Sequence, residues 1–238
     1  MPGTQADGGQ TSAADEVSLA RSDGKAHLLL AASGSVATIK IVQIIEGLGR
    51  HENLSIRLVL TRSAEHFLGG QSPEQPTLAS IRGMANVDGV YTDAAEWTRP
   101  WTRGAAILHI EMRRWADVMM ICPLSANTMA KMVAGLCDSL LLSIVRAWDV
   151  DGSVDGRRKK IVVAAAMNTA MYRNPVTGQQ LRTLEEDWGG EGGWVEVLRP
   201  VSKRLACNDV GEGAMVGWET IVAVAEAKLG LAAKEAGG

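Results

Sequence analysis

Five places in the chain carry side chains able to do chemistry, and most follow an apolar run. In Cys122-Pro123-Leu124-Ser125-Ala126-Asn127-Thr128, hydroxyl and amide groups gather where a helix should begin. Hydroxyls, free backbone N–H groups and a helix dipole suit a phosphate monoester without need of a lysine. Simple N-capping by Ser125 accounts for the same residues as well. Gly34-Ser35-Val36 lies between another apolar run and a helix. A glycine there lets backbone approach a ligand, and a plain tight turn is the alternative. In Ala166-Met167-Asn168-Thr169, a neutral amide can hold a carboxylate without a charge that would hinder loss of CO2. A turn role for Asn168 competes. The segment from Lys203 to Met215 joins Arg204, Ala206, Cys207, Gly211 and Gly213. Two glycines offer hinge freedom for a flap that excludes water and brings Cys207 in as a proton donor. A glycine-rich surface loop with a small buried cysteine is the bland counterpart. His109 is followed by Glu111, which is not the spacing of a metal-binding helix, and a lone histidine is more often structural.

The bulk properties set the frame. The chain has 238 residues, 46% hydrophobic and 21% charged, with net charge -3. That is enough for one α/β domain with a sizeable core. No basic surface for nucleic acid or membrane is expected, since Arg157-Arg158-Lys159-Lys160 is the one cationic run and suits a solvated turn. Three cysteines without a CxxC pair argue against disulfides and a zinc site. No apolar run reaches the roughly 18 residues of a membrane span, and no secretion signal opens the chain, so a cytoplasmic protein is expected.

The elements that must position these residues alternate between strand and helix. Residues 1–24 are polar and small and are expected to form a disordered tail, with a single domain over 25–231 and fraying over 232–238. Strands are predicted over 27–32, 55–60, 118–121, 161–165 and 194–198, with Pro123 ending the third. Helices are predicted over 36–48, 110–116, 125–136 continuing to 147, 177–186 and 219–231, with a long connection holding short pieces of structure over 69–106. Continuous apolar strands separated by helices imply a parallel sheet covered on both faces. Such sheets bind ligands at the carboxyl ends of their strands, beside a switch point.

The order of the blocks carries a resemblance. Gly34-Ser35-Val36-Ala37-Thr38-Ile39-Lys40 is followed by Leu108-His109-Ile110-Glu111-Met112-Arg113-Arg114-Trp115-Ala116-Asp117, then Pro123-Leu124-Ser125-Ala126-Asn127-Thr128. Gly135-Leu136-Cys137-Asp138, Arg146-Ala147-Trp148-Asp149, Ala166-Met167-Asn168-Thr169, Arg204-Leu205-Ala206-Cys207 and Gly211-x-Gly213-Ala214-Met215 complete the series. Over roughly residues 26–230 the chain resembles the flavin-dependent cysteine decarboxylase family, and very closely the branch acting on 4'-phosphopantothenoylcysteine.

The resemblance implies a flavodoxin-like, Rossmann-like α/β fold assembled as a homotrimer, with FMN near the subunit contacts. It implies that Gly34, Ser35, Val36, Thr61, Ser63 and Ala166 line FMN and that Ser125, Ala126, Asn127 and Thr128 take its phosphate. His109 and Cys207 match the catalytic positions; Asn168, Arg204, Ala206 and Met215 match substrate contacts; no metal is implied. The implied activity, in coenzyme A biosynthesis, oxidises the substrate's CH2–SH to a thioaldehyde, releases CO2, then reduces the enethiolate to 4'-phosphopantetheine. The chain departs from the family in Ala165, where proline is usual, and in Asn208, where glycine is usual. The latter bears on the mobility of the flap, although Asn tolerates a left-handed backbone. Related chains that inhibit a protein phosphatase, peptidyl-cysteine decarboxylases and flavin prenyltransferases are the rival readings. The first usually carry a long acidic tail, and the flap argues against the last.

Overall fold

The structure, a computed structural model, describes residues 11–204 and 210–231. Six strands form one parallel sheet in the order β3-β2-β1-β4-β5-β6. They are β1 Ala26–Ala32, β2 Leu54–Leu60, β3 Val87–Thr92, β4 Val118–Leu124, β5 Lys160–Ala165 and β6 Val195–Leu198. Side-chain alternation splits each central strand between two cores. Leu29 and Ala31 of β1 face one core; Leu28, Leu30 and Ala32 face the other. Helices α2 (Ile41–Leu48) and α10 (Trp218–Leu229) cover the second face. Helices α5 (Leu108–Trp115), α6 (Ala126–Val133), α7 (Leu140–Arg146) and α9 (Pro175–Arg182) cover the first. The expected single α/β domain with helices on both faces is what forms.

Three local expectations change. Residues 1–24 do not all form a tail, because Ala13–Leu19 is a helix, α1, packed on α5. Ser12 and Asp15 make a reciprocal capping box, and Ala14 and Val17 enter the core. Burying Val17 alone is worth about 1.5–3 kcal/mol. The connection over 69–106 holds the short pieces expected of it, a helix, α4 (Leu78–Arg82), and edge strand β3. The helix expected to run unbroken to 147 stops at Val133; Gly135 takes φ +74° and Ser139 caps α7. Pro123 does not end β4. The strand passes through it, the register shifts between Ile121 and Leu124, and pairing resumes at Leu124 with Ala165. A residue without an N–H is tolerated where the ladder is interrupted.

The remaining elements lie over the carboxyl edge of the sheet. They are α3 (Arg62–Glu65), α8 (Thr169–Arg173) and an antiparallel hairpin of β7 (Val201–Arg204) and β8 (Val210–Ala214). Among the described residues, no helix is long and apolar enough to cross a membrane. No described cluster of His, Cys, Asp or Glu is placed to hold a metal ion.

Candidate active site

The chain leaves β1 towards β2 on one side and β4 towards β5 on the other. This divergence opens a crevice at the carboxyl ends of the two central strands, where open α/β sheets bind ligands. A cavity of about 820 Å3 lies there. Gly34, Ser35 and Val36 line it after β1; Ser125, Ala126 and Asn127 after β4; Ala166 and Asn168 after β5; Met215 after β8. The topology thus brings together segments from near the two ends of the domain, Gly34 and Glu219 among them.

Buried hydroxyls fix the first two segments. Ser33, fully buried, donates from Oγ to the Pro123 carbonyl at 3.0 Å and accepts the Ser125 N–H at 2.8 Å. Its own N–H also reaches the Pro123 carbonyl at 3.0 Å, so the irregularity at Pro123 supplies the acceptor for the neighbouring loop. Ser125 Oγ accepts the Thr128 N–H at 3.3 Å, the expected cap, and lies 3.2 Å from Thr128 Oγ1. Thr128 is buried in this network and does not line the cavity. The N–H groups of Ala126 and Asn127 belong to the first turn of α6, where the helix has no acceptor for them, and they are suited to an anion.

Thr61 and Ser63 form the loop behind this wall. Thr61 caps α3 by accepting the Ala64 N–H at 3.3 Å. A Cβ at position 34 would stand 2.5 Å from the Cβ of Ser63, so Gly34 is what lets the two loops touch. Neither Thr61 nor Ser63 lines the cavity itself.

On the opposite wall Asn168 caps α8, its Oδ1 accepting the Met171 N–H at 2.9 Å. Its amide nitrogen has no hydrogen-bond partner among the described residues. Met215 is buried against the cavity. The hairpin rests on α8 through the Gly213 carbonyl, which accepts the Met167 N–H at 2.9 Å. Thr169 Oγ1 adds a bond to the Glu212 carbonyl at 3.2 Å, and Arg173 pairs with Glu212 at 2.8 Å. That guanidinium holds the Glu212 carboxyl below the usual range. Gly213 has φ +91°, and a Cβ there would meet the Met167 carbonyl at 2.6 Å. Expected as a hinge, it is a point of close backbone approach. Arg204 ends β7. Ala206, Cys207 and Asn208 lie outside the described residues.

His109 lies apart from this cavity. It sits in the first turn of α5, with Nδ1 2.7 Å from Glu96 Oε1. Cys122 lies in the same apolar core as Ala166 and Met215, and burial pushes its thiol up to about 12, out of reach of thiolate chemistry. The sequence reading did not single out Phe67, Met171 or Trp218, which give the cavity much of its apolar wall, nor Lys40 and Glu219, its charged lining residues. Lys40 was quoted only within its block. No local motif marks them, because each comes from an element that reaches the crevice only through the fold.

The site is a crevice with apolar walls, a hydroxyl-and-amide anion cradle and an exposed amide beside it. A planar apolar ring carrying a phosphate fits that donor set. The chain belongs to the flavoprotein family, whose model matches residues 16–230. It is 44% identical over 193 residues to phosphopantothenoylcysteine decarboxylase of Arabidopsis thaliana, covering 80% of this chain and 79% of that one. A solved PPC decarboxylase with a Cys-to-Ser change, complexed with pantothenoylaminoethenethiol, superposes with TM-score 0.67 at 41% identity. That match covers 85% of this chain and 97% of the other. A solved FMN binding protein, AtHal3, gives TM-score 0.67 and 41% identity over 85% and 96% of the two chains. The chain spans only 31% to 38% of the length of three fungal relatives that it also matches.

Proposed function

We propose that the chain is an FMN-dependent decarboxylase that converts 4'-phosphopantothenoylcysteine into 4'-phosphopantetheine. The observation that carries this reading is one cavity lined by Gly34–Val36, Ser125–Asn127, Ala166, Asn168 and Met215. Bound FMN would supply a transient sink for two electrons of the substrate's CH2–SH group and return them once CO2 has left.

The chain's own residues do the rest. Ser125 and the N–H groups of Ala126 and Asn127 hold the flavin phosphate. Gly34, Ser35, Val36 and Ala166 give the ring an apolar wall that excludes water. The amide nitrogen of Asn168 orients the substrate carboxylate and adds no positive charge to hold it back. His109 receives the thiol proton at Nε2. Cys207 gives a proton to the carbon that CO2 has left. In the homotrimer implied by the resemblance, His109 serves the cavity of an adjacent copy. Exposed Val36, which lines the cavity, and exposed Met171 and Val176 are the apolar side chains such a contact would cover.

The test is to purify the chain alone, record its visible spectrum, and measure CO2 release from 4'-phosphopantothenoylcysteine. A yellow protein that forms 4'-phosphopantetheine is the expected result. A colourless protein that FMN does not reconstitute would overturn the proposal. A phosphatase-inhibition assay on the same preparation tests the regulatory reading, and a cysteine-ended peptide as substrate tests the peptidyl one.

A further inference from the structure

Glu96 has no role in the account above, yet its carboxylate is buried against His109. It follows the turn Asp93–Ala95, in the connection where no chemistry was expected. That turn is tied at both oxygens of Asp93, which accept the Leu140 N–H at 3.0 Å and the Arg62 N–H at 3.2 Å. The Glu96 side chain is only 4% exposed. Its Oε1 lies 2.7 Å from His109 Nδ1, and its buried Oε2 has no hydrogen-bond partner among the described residues.

A buried carboxylate with half its accepting capacity unused is a poor device for stability, because desolvation is costly unless the remaining lone pairs are satisfied. What the pair does provide is orientation. A carboxylate at Nδ1 requires the proton there, so the neutral imidazole carries its lone pair on Nε2. His109 is 21% exposed, and its Nε2 has no partner among the described residues. His27 makes the contrast. Its two nitrogens lie 3.1 Å from the Trp115 carbonyl and 2.9 Å from Asp23, and it is buried, as a structural histidine should be.

We infer that Glu96 is the positioning residue of His109, fixing the Nδ1–H tautomer and balancing the charge when Nε2 takes a proton. This rests on the reading of His109 as catalytic. The same division of labour makes a carboxylate-bound imidazole an effective base in other enzymes.

The experiment compares the unaltered chain with Glu96→Ala, Glu96→Gln, Glu96→Asp, His109→Asn and the double variant E96A/H109N. The readouts are flavin absorbance, kcat and KM for CO2 release, and nitrogen-15 NMR of the histidine rings. The wild-type spectrum should show a ring in the Nδ1–H tautomer that His109→Asn removes. Glu96→Ala should keep its flavin and its KM, lose roughly 10- to 100-fold in kcat, and let that ring shift towards the other tautomer. Glu96→Asp should recover part of the rate. The double variant should be no slower than His109→Asn alone, since the two residues act as a unit. Wild-type kcat in Glu96→Ala beside an inactive His109→Asn would overturn the role of Glu96 only. Flavin loss in both Glu96→Gln and Glu96→Ala would show a structural role instead, as would an Nε2–H tautomer in the wild type. Full turnover in His109→Asn would remove the histidine from the reaction and this proposal with it.

Discussion

The rim formed by the loops after β1 and β4 and the hairpin of β7 and β8 face the same cavity but are held differently. The rim is tied by fully enclosed bonds among Ser33, Pro123, Ser125 and Thr128. Among the described residues, the hairpin is anchored by one backbone–backbone bond, Met167 N–H to the Gly213 carbonyl, by half-buried bonds between Thr169 Oγ1 and the Glu212 backbone, and by an ion pair from exposed Arg173. Buried hydrogen bonds are costly to break, because each lost partner leaves a desolvated group behind, whereas surface ion pairs contribute little. The rim is therefore built as part of the core and suits a ligand that stays. The hairpin shares no strand pairing with the six-stranded sheet, an arrangement that suits a ligand that comes and goes.

Four experiments would break or sharpen that contrast. The largest effect is expected from Cys207→Ser, which should retain flavin and release CO2 but slow formation of reduced product by about 10²- to 10⁴-fold. Product at the normal rate would remove the hairpin from the chemistry. Gly213→Ala comes next. A methyl group against the Met167 carbonyl must displace the hairpin, so turnover should fall by about 10- to 100-fold with flavin content unchanged. Equal loss of flavin and turnover would mean that rim and hairpin are one unit.

Ser33→Ala tests the rim itself. It orphans the Ser125 N–H, at a cost of about 2 kcal/mol and a fall in Tm of about 4–8 °C, and should weaken FMN binding in a fluorescence titration. An unchanged Tm would show that the network is dispensable. The smallest effect is expected from Arg173→Ala. The partner Glu212 has its pKa lowered in the fold, so any stabilisation is present above the ordinary carboxylate range and fades as pH falls through the lowered value. Arg173 is exposed and Glu212 only half-buried, so the pair is well solvated and the melting temperature should not change measurably; only KM should rise. A clear fall in Tm at neutral pH would move the hairpin to the rim's side of the contrast.

The central strands were legible because they are continuous apolar runs that only a doubly covered parallel sheet can bury. Strand β3 was not. Its half-exposed edge carries Asp88 and Gly89, which interrupt the pattern, and its pairing with β2 is irregular between Ile56 and Arg57. Helix α1 hid among polar residues because only Ala14 and Val17 enter the core, although Ser12 and Asp15 already spelled its cap. Within the site, the strand-end segments were readable as motifs. Ser33 carries no such mark, since nothing local shows that it faces Pro123. Glu96 was invisible for a related reason: its meaning lies in a contact with His109, 13 residues along, across a turn that no repeat or period announces.

Gly34 has one more consequence. Its α-carbon leaves no room between the first loop and Ser63, so the two positions share a single allotment of space. Across related chains they should vary as a pair: a methyl-bearing residue at the first ought to appear only with glycine at the second.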